Sequence, residues 1–216
     1  NASGTVPYLI DGPVSVPESM IVVEYLAKRY HREDVFGETP KEVKAVRLAL
    51  SLINPGHFYQ VLTCRDPAAL AGKEQAMKKM LAQLEDLYAK ESESGPYLLG
   101  DKLSAAEISL VPFFERMIPS INYYRNIDVL PEESFPRLHR AFIACGARNA
   151  FRATTSDPRF FIDVYRLYAK GDRAGALPPN AMVKTIRSRP MTSVAATLAV
   201  GIAAGLSLSI AFSRRA

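Results

Sequence analysis

The stretch that decides the fold is residues 97–108, which read YLLGDKLSAAEI. Ser104 and Glu107 stand three positions apart within it, which is the spacing of a capping box at the start of a helix. The serine oxygen accepts from a backbone N–H of the first turn, and the glutamate accepts from the N–H of the serine. Leu103 and Ile108 flank the box and are placed to form a hydrophobic staple. We therefore expect a helix to begin after Ser104, with Ser104 and Glu107 acting as structural caps.

Apolar residues at helical spacing surround this box. The clearest pattern covers residues 73–90, and its apolar positions recur every three or four residues. The other predicted helices cover residues 41–53, 135–149 and 158–170. Pro112 should kink the helix that follows the box, because proline lacks the N–H that an interior position donates.

A short hairpin is predicted ahead of the helices. Residues 5–10 indicate a strand, Asp11-Gly12 is a turn signal, and residues 14–16 indicate a returning strand. The residues 17–19, Pro-Glu-Ser, should then open a helix, since proline suits the first turn and a carboxylate complements the helix dipole. The predicted fold class is mainly α, with a small α/β hairpin-helix unit at the beginning.

This order of elements resembles the glutathione transferase superfamily, with the cysteine-type lambda, omega and dehydroascorbate reductase classes as the nearest in character. Val6-Pro7 matches the family's strand that begins with a cis-proline, Glu18-Ser19 its pair at a helix start, and residues 97–108 its signature before the central helix. Glu107 stands where the family more often has aspartate. The resemblance covers roughly residues 5–170. It implies a partial thioredoxin-like domain over 1–36 and an all-helical transferase C-terminal-like domain over 37–170.

The resemblance implies a glutathione site at the start of the chain. The family binds the γ-glutamyl end of glutathione where Glu18 and Ser19 stand here, and the cysteinyl part at the backbone of Val6 beside Pro7. A helix N-terminus does offer N–H groups to a carboxylate. Glu18 and Ser19 would equally serve simply to start a helix, and the sequence leaves both interpretations open. Glutathione is thus the one ligand that the resemblance implies.

No catalytic residue is expected in this chain. In the family, the cysteine, serine or tyrosine that activates glutathione lies before the strand that Val6-Pro7 matches, and at most four residues precede Thr5 here. Cys64 and Cys145 lie in the helical part, where burial in a core is the expected fate of a free thiol. Their number and spacing favour a reducing compartment and no disulfide framework. No metal site is predicted, because the three histidines, His31, His57 and His139, lack metal-ligand spacing.

Four further residues suggest a hydrophobic pocket in the helical part. They are Phe58, Tyr59, Phe114 and Met117. The alternative is that they belong to the core, because aromatic side chains at helical spacing are usually buried there.

The charge distribution argues against a nucleic-acid partner. The net charge is +5. Residues 171–216 contain six basic residues against Asp172 alone, so residues 1–170 are formally neutral. The domain therefore has no basic face for a phosphate backbone.

The C-terminal part predicts a membrane anchor. No charged residue occurs from Pro190 to Ser213, and basic residues flank this run on both sides. Such a run suits a transmembrane helix over 191–213, preceded by a basic linker over 171–190; a buried core helix is the alternative. Small residues recur at every fourth position, at Ser193, Thr197, Gly201, Gly205 and Ser209. This stripe predicts close packing against a transmembrane helix of another subunit.

Two functions fit these observations. The favoured one is a non-catalytic accessory subunit of a large photosynthetic or respiratory complex, single-pass and held by its C-terminal anchor in a thylakoid or mitochondrial membrane. Its partners would be membrane lipid, the helix of the other subunit, and a protein in contact with the soluble domain. The alternative is a tail-anchored glutathione transferase or thiol reductase whose catalytic residue lies upstream of this chain. The missing catalytic half favours the first, and Glu18-Ser19 favours the second.

Overall fold

The computed structural model of the chain describes residues 7–170 and 209–211. A hairpin and one helix at the beginning lead into a block of helices. The strands are β1 (Tyr8–Asp11), β2 (Val14–Pro17) and β3 (Ser209–Ala211). The helices are α1 (Ser19–Arg29), α2 (Pro40–Leu52), α3 (Gly56–Leu62), α4 (Pro67–Glu91), α5 (Ala105–Arg125), α6 (Pro136–Gly146), α7 (Asn149–Arg152) and α8 (Pro158–Ala169), with a 3-10 helix at Glu33–Phe36.

The predicted hairpin is present, and the ends of its strands lie within three residues of the predicted ones. β1 and β2 pair antiparallel, and the register sets Leu9 opposite Val16. Both side chains are buried against α1 in one small apolar cluster. Gly12 takes a φ of 59° in the turn, a conformation that glycine adopts without a steric penalty. Pro17 ends β2 instead of opening α1, so the helix begins two residues later than predicted.

β3 is the third strand of the sheet. It runs parallel to β1 and pairs Leu9 with Ile210, so the strand order is β2-β1-β3. The transmembrane helix predicted over 191–213 is therefore not helical at Ser209–Ala211. The N–H and C=O groups along the edge of β1 pair with these residues. The apolar pattern of the sequence could not reveal this pairing. The remainder of that prediction, with the linker over 171–190, lies outside the described residues.

The helical block is built around α5. Two prolines, Pro112 and Pro119, lie inside this helix. Twelve of its residues are buried, which fits a central helix surrounded by its neighbours on most sides. The main apolar cluster joins α5 with α2, α3, α4, α6 and α8.

The predicted helices are present with different ends. α4 begins at Pro67, where Asp66 caps it by accepting from the N–H of Ala68 at 2.9 Å. The range 135–149 contains α6, which ends at Gly146, and α7 begins only at Asn149. α3 and the 3-10 helix were not predicted, because a helix of seven or four residues is too short for an apolar period to stand out.

Within residues 7–170, no helix is long and apolar enough to cross a membrane.

Candidate functional site

The capping box at the start of α5 is a buried polar group with several hydrogen bonds. Glu107 is 1% exposed. One of its oxygens accepts from the N–H and the hydroxyl of Ser104, at 2.8 and 2.7 Å. The other accepts from the Tyr88 hydroxyl at 2.7 Å and the Leu98 N–H at 2.8 Å. The box thus joins α4, the turn before α5, and α5 itself.

The surroundings of the box are apolar. Burial, and then the nearby Glu107, raise the pKa of Tyr88 well above its ordinary value, so this hydroxyl remains a donor. Leu103 and Ile108 pack in the same small cluster that holds the hairpin and α1. The staple therefore fixes the first unit of the chain against the helical block.

We expect Ser104→Ala to lower the free energy of unfolding by about 0.5–2 kcal/mol, because it removes the N-cap oxygen of α5. Chemical denaturation of the full chain measures this. An unchanged denaturation midpoint would mean that the box contributes nothing to stability.

The predicted glutathione site centres on the start of α1. Glu18 is its N-cap residue and has φ 67° and ψ 128°, without a hydrogen bond from its side chain to the helix. Tyr8 pairs with Pro17, so the register brings the buried Pro7 beside Glu18. Ser19 is half-buried as the first residue of α1. Val6 lies outside the described residues.

The backbone of Glu18 is strained. A positive φ is uncommon for a residue other than glycine and costs about 1–3 kcal/mol, a cost that functional sites often carry. The conformation ends the extended β2 and starts α1 within one residue, and it leaves the Glu18 side chain exposed. The geometry thus brings Pro7, Glu18 and Ser19 together at one helix N-terminus.

Neither cysteine lies at this site. Cys64 and Cys145 are both buried and free. The thiol of Cys64 donates to the Asp66 carbonyl at 3.3 Å. Burial, with a smaller contribution from the charge of Glu107, raises the pKa of Cys145 to about 12. At neutral pH the Cys145 thiol is therefore protonated and a poor nucleophile.

The four residues suggested as a hydrophobic pocket lie in the main core instead. Phe58, Phe114 and Met117 have no exposed surface. Phe58 contacts Phe114 edge-to-face with ring centroids 6.2 Å apart. Tyr59 is half-buried and lies with its hydroxyl 3.4 Å from that of Tyr165. α3 directs Phe58, and α5 directs Phe114 and Met117, into the interior of the helical block, where they form part of the core.

A cavity of about 290 Å³ lies elsewhere, between α1 and the helices α5 to α7. The sequence did not point to it, because its walls come from three separate segments, residues 23–35, 103–112 and 145–151. The apolar lining comprises Val23, Leu26, Ala27, Val35, Leu103, Ile108, Val111, Pro112, Ala150 and Phe151, and the remaining lining residues are Tyr30, Arg32, Glu107, Cys145 and Arg148.

A metal centre is not formed by residues 7–170. No group of three histidine, cysteine, aspartate or glutamate side chains is close enough there to hold an ion.

Comparison with known proteins gives consistent matches. Residues 52–154 match the family model for the glutathione S-transferase C-terminal domain. Glutathione S-transferase F10 of Arabidopsis thaliana is 26% identical over 129 residues, covering 55% of this chain and 60% of the relative. Glutathione S-transferase DHAR2 of the same plant is 28% identical over 152 residues, covering 70% of this chain and 65% of the relative. The chain thus spans less than two thirds of either relative.

A solved structure, Leishmania TDR1, described as a unique trimeric glutathione transferase, superposes with a TM-score of 0.69. The superposition covers 78% of this chain and 38% of the other, at 24% identity, and shows a shared fold. The fold, the family model and the relatives agree, and together they support membership of the chain in the glutathione S-transferase superfamily.

Proposed function

We propose that this protein is a membrane-held accessory subunit with a glutathione transferase-like domain that does not itself activate a thiol. The observation that carries the proposal is the placement of the two cysteines. Both are buried in the helical block, and the pKa of Cys145 is raised to about 12. Thiol-transfer chemistry needs an accessible thiolate or a positioned activating group, and the start of α1 has neither within residues 7–170.

The proposed setting is a large complex in a photosynthetic or respiratory membrane. The uncharged run that ends near Ser213 and its flanking basic residues support this setting. Three basic residues stand closely before the run and two after it, and the side of a membrane span with more basic residues tends to stay on the cytosolic side. The domain would therefore face the cytosol, or the stroma or matrix of an organelle.

Insertion of this run excludes the pairing of β3 with β1. Ser209–Ala211 lies within the predicted span 191–213, so in a bilayer these residues would be in the hydrocarbon region and away from the hairpin. We infer that Ser209–Ala211 leaves β1 when the run enters a bilayer. The pairing of β3 with β1 would then form only when the chain is not inserted in a membrane.

A second candidate is a glutathione-dependent enzyme whose activating residue comes from a segment outside this chain. The conformation of Glu18 favours it, because a strained non-glycine residue at a helix N-terminus is typical of ligand sites. In that case Pro7, Glu18 and Ser19 would bind the γ-glutamyl end of glutathione, and the helix N-terminus would stabilise its carboxylate.

The accessory role predicts that Gly201→Leu with Gly205→Leu separates the protein from its complex and leaves it in the membrane. Leucine keeps the run apolar but blocks the close helix approach that glycine permits. Membranes are washed with alkaline carbonate, which tests insertion, and then solubilised in mild detergent. Native gel electrophoresis reports whether the protein migrates with the complex.

The matched control is Leu198→Val with Leu206→Val, on the neighbouring bulky stripe, which should change neither readout. If the glycine variant still migrates with the complex, the run is a plain anchor. If the unmutated protein is removed by carbonate, the membrane proposal itself is wrong.

A further inference from the structure

The connection between α7 and α8, residues 153–157, is bonded to α5 through one carboxylate oxygen of Glu115. The Thr155 hydroxyl donates to Glu115 Oε1 at 2.6 Å, and the Ser156 N–H donates to the same oxygen at 3.2 Å. Thr155 is exposed, whereas Glu115 is half-buried. The connection therefore depends on a half-buried acceptor and on a hydroxyl that other molecules can reach.

The Glu115 carboxylate needs these two donors. Burial raises its pKa, and the hydrogen bonds from Thr155 and Ser156, together with the charge of Arg116, act in the opposite direction. A partly buried carboxylate has little water to replace a lost donor, and a second negative charge beside it is unfavourable. A negatively charged group on the Thr155 oxygen would thus turn the contact from attraction into repulsion.

Thr155 also lies in a sequence of the kind that protein kinases select. Residues 152–155 read Arg-Ala-Thr-Thr, and Thr155 is the only serine or threonine of residues 7–170 with arginine three positions before it. Basic-directed serine/threonine kinases choose such substrates by charge, through acidic groups that pair with the exposed Arg152. The adjacent Thr154 is half-buried, and its hydroxyl donates to carbonyls of α7. Thr155 is therefore the accessible hydroxyl of the pair.

We propose that Thr155 is a phosphorylation site, and that its modification releases the connection between α7 and α8 from Glu115. In the reaction the Thr155 oxygen bonds to the γ-phosphorus of ATP, the bond from that phosphorus to the oxygen of the leaving ADP breaks, and the hydroxyl proton passes to a base of the kinase. The product carries a charge of about −1.5 to −2 at neutral pH in place of the hydroxyl proton that Glu115 accepted. The proposal is independent of the accessory role.

The release should be confined to the start of α8. Farther along this helix, the Tyr124 hydroxyl donates to the Ile162 carbonyl at 2.7 Å, and Arg125 donates to the Ala169 carbonyl at 2.6 Å. Neither bond involves the connection before α8. Phosphorylation should therefore free the connection and the first turn of α8, and leave the last turn packed on α5.

The first test is phosphorylation of the full chain, in mild detergent, by cyclic AMP-dependent protein kinase and ATP. Mass spectrometry should place phosphate on Thr155 and distinguishes it from Thr192, which has Arg189 at the same spacing. Arg152→Gln should slow incorporation at Thr155 about tenfold, as the loss of one charge-assisted hydrogen bond does. Arg159→Gln, on the other side of the site, is the matched control and should not. Absence of phosphate on Thr155, or equal effects of the two arginine variants, would overturn the assignment.

The second test is hydrogen–deuterium exchange of the phosphorylated and the unmodified chain. The peptide that covers Ser156 should exchange about tenfold faster after phosphorylation, because its N–H loses a charged acceptor, and a peptide from the end of α8 should not change. Glu115→Gln keeps an acceptor oxygen but removes the negative charge, so phosphorylation should accelerate exchange far less in this variant. Equal acceleration with glutamate and with glutamine, or none in the unmutated chain, would show that repulsion from Glu115 does not release the connection.

Discussion

Glu107→Ala is expected to lower the free energy of unfolding by about 3–5 kcal/mol, the largest stability effect of any substitution considered for this chain. The variant leaves the Tyr88 hydroxyl, the Leu98 N–H and the Ser104 N–H without the acceptor they have now. Each buried donor without a partner costs about 1–3 kcal/mol. The free energy of unfolding of a native domain is only about 5–15 kcal/mol. The variant should therefore lose a large part of its stability.

A second capping box in the same chain supplies the control. Thr39 and Glu42 form it at the start of α2, with both reciprocal bonds present, but these bonds are exposed to water. Glu42→Ala should therefore cost less than about 1 kcal/mol, because water replaces the lost carboxylate. Urea denaturation of both variants measures the difference. Similar losses for the two would show that burial of Glu107 is not what makes its box important.

The contrast between the two boxes shows what could be predicted from the sequence. The reciprocal bonds between Ser104 and Glu107 depend on residues three positions apart, and their spacing alone indicates them. The bonds from Glu107 to Tyr88 and Leu98 depend on how α4 and the preceding turn pack against α5. No local pattern indicates that packing, so the sequence revealed the cap but not the buried network around it.

The same distinction between local sequence features and long-range packing applies to the candidate site. The hairpin and the start of α1 could be predicted, because alternation, a turn signal and a proline are local features. The strained φ of Glu18 could not, since it arises from joining β2 directly to α1. Phe58 and Phe114 were ambiguous because a helical period is the same for a core and for a pocket. The apolar pattern over 191–213 likewise predicted a helix at Ser209–Ala211, where pairing with β1 produces a strand.

The second large effect concerns catalysis. We expect the chain to add nothing to the uncatalysed rate of glutathione conjugation, whereas active enzymes commonly turn over about 1–1,000 times per second. Residues 7–170 bring no activating group to the start of α1, and the buried Cys145 thiol remains protonated at neutral pH. Cys64→Ser and Cys145→Ser should therefore leave the measured rate unchanged. A rate that depends on either cysteine would mean that the nucleophile lies in the helical block.

The most direct test of the accessory role is the rate of glutathione consumption by the protein purified to homogeneity from its natural source. This preparation includes any segment that accompanies the chain in its source. We predict a rate equal to that of a blank without protein, both with an electrophilic aryl halide and with a small disulfide as the second substrate. Turnover above the blank that is lost in a Ser19→Ala variant, purified in the same way, would contradict the accessory role and establish the start of α1 as part of a working glutathione site.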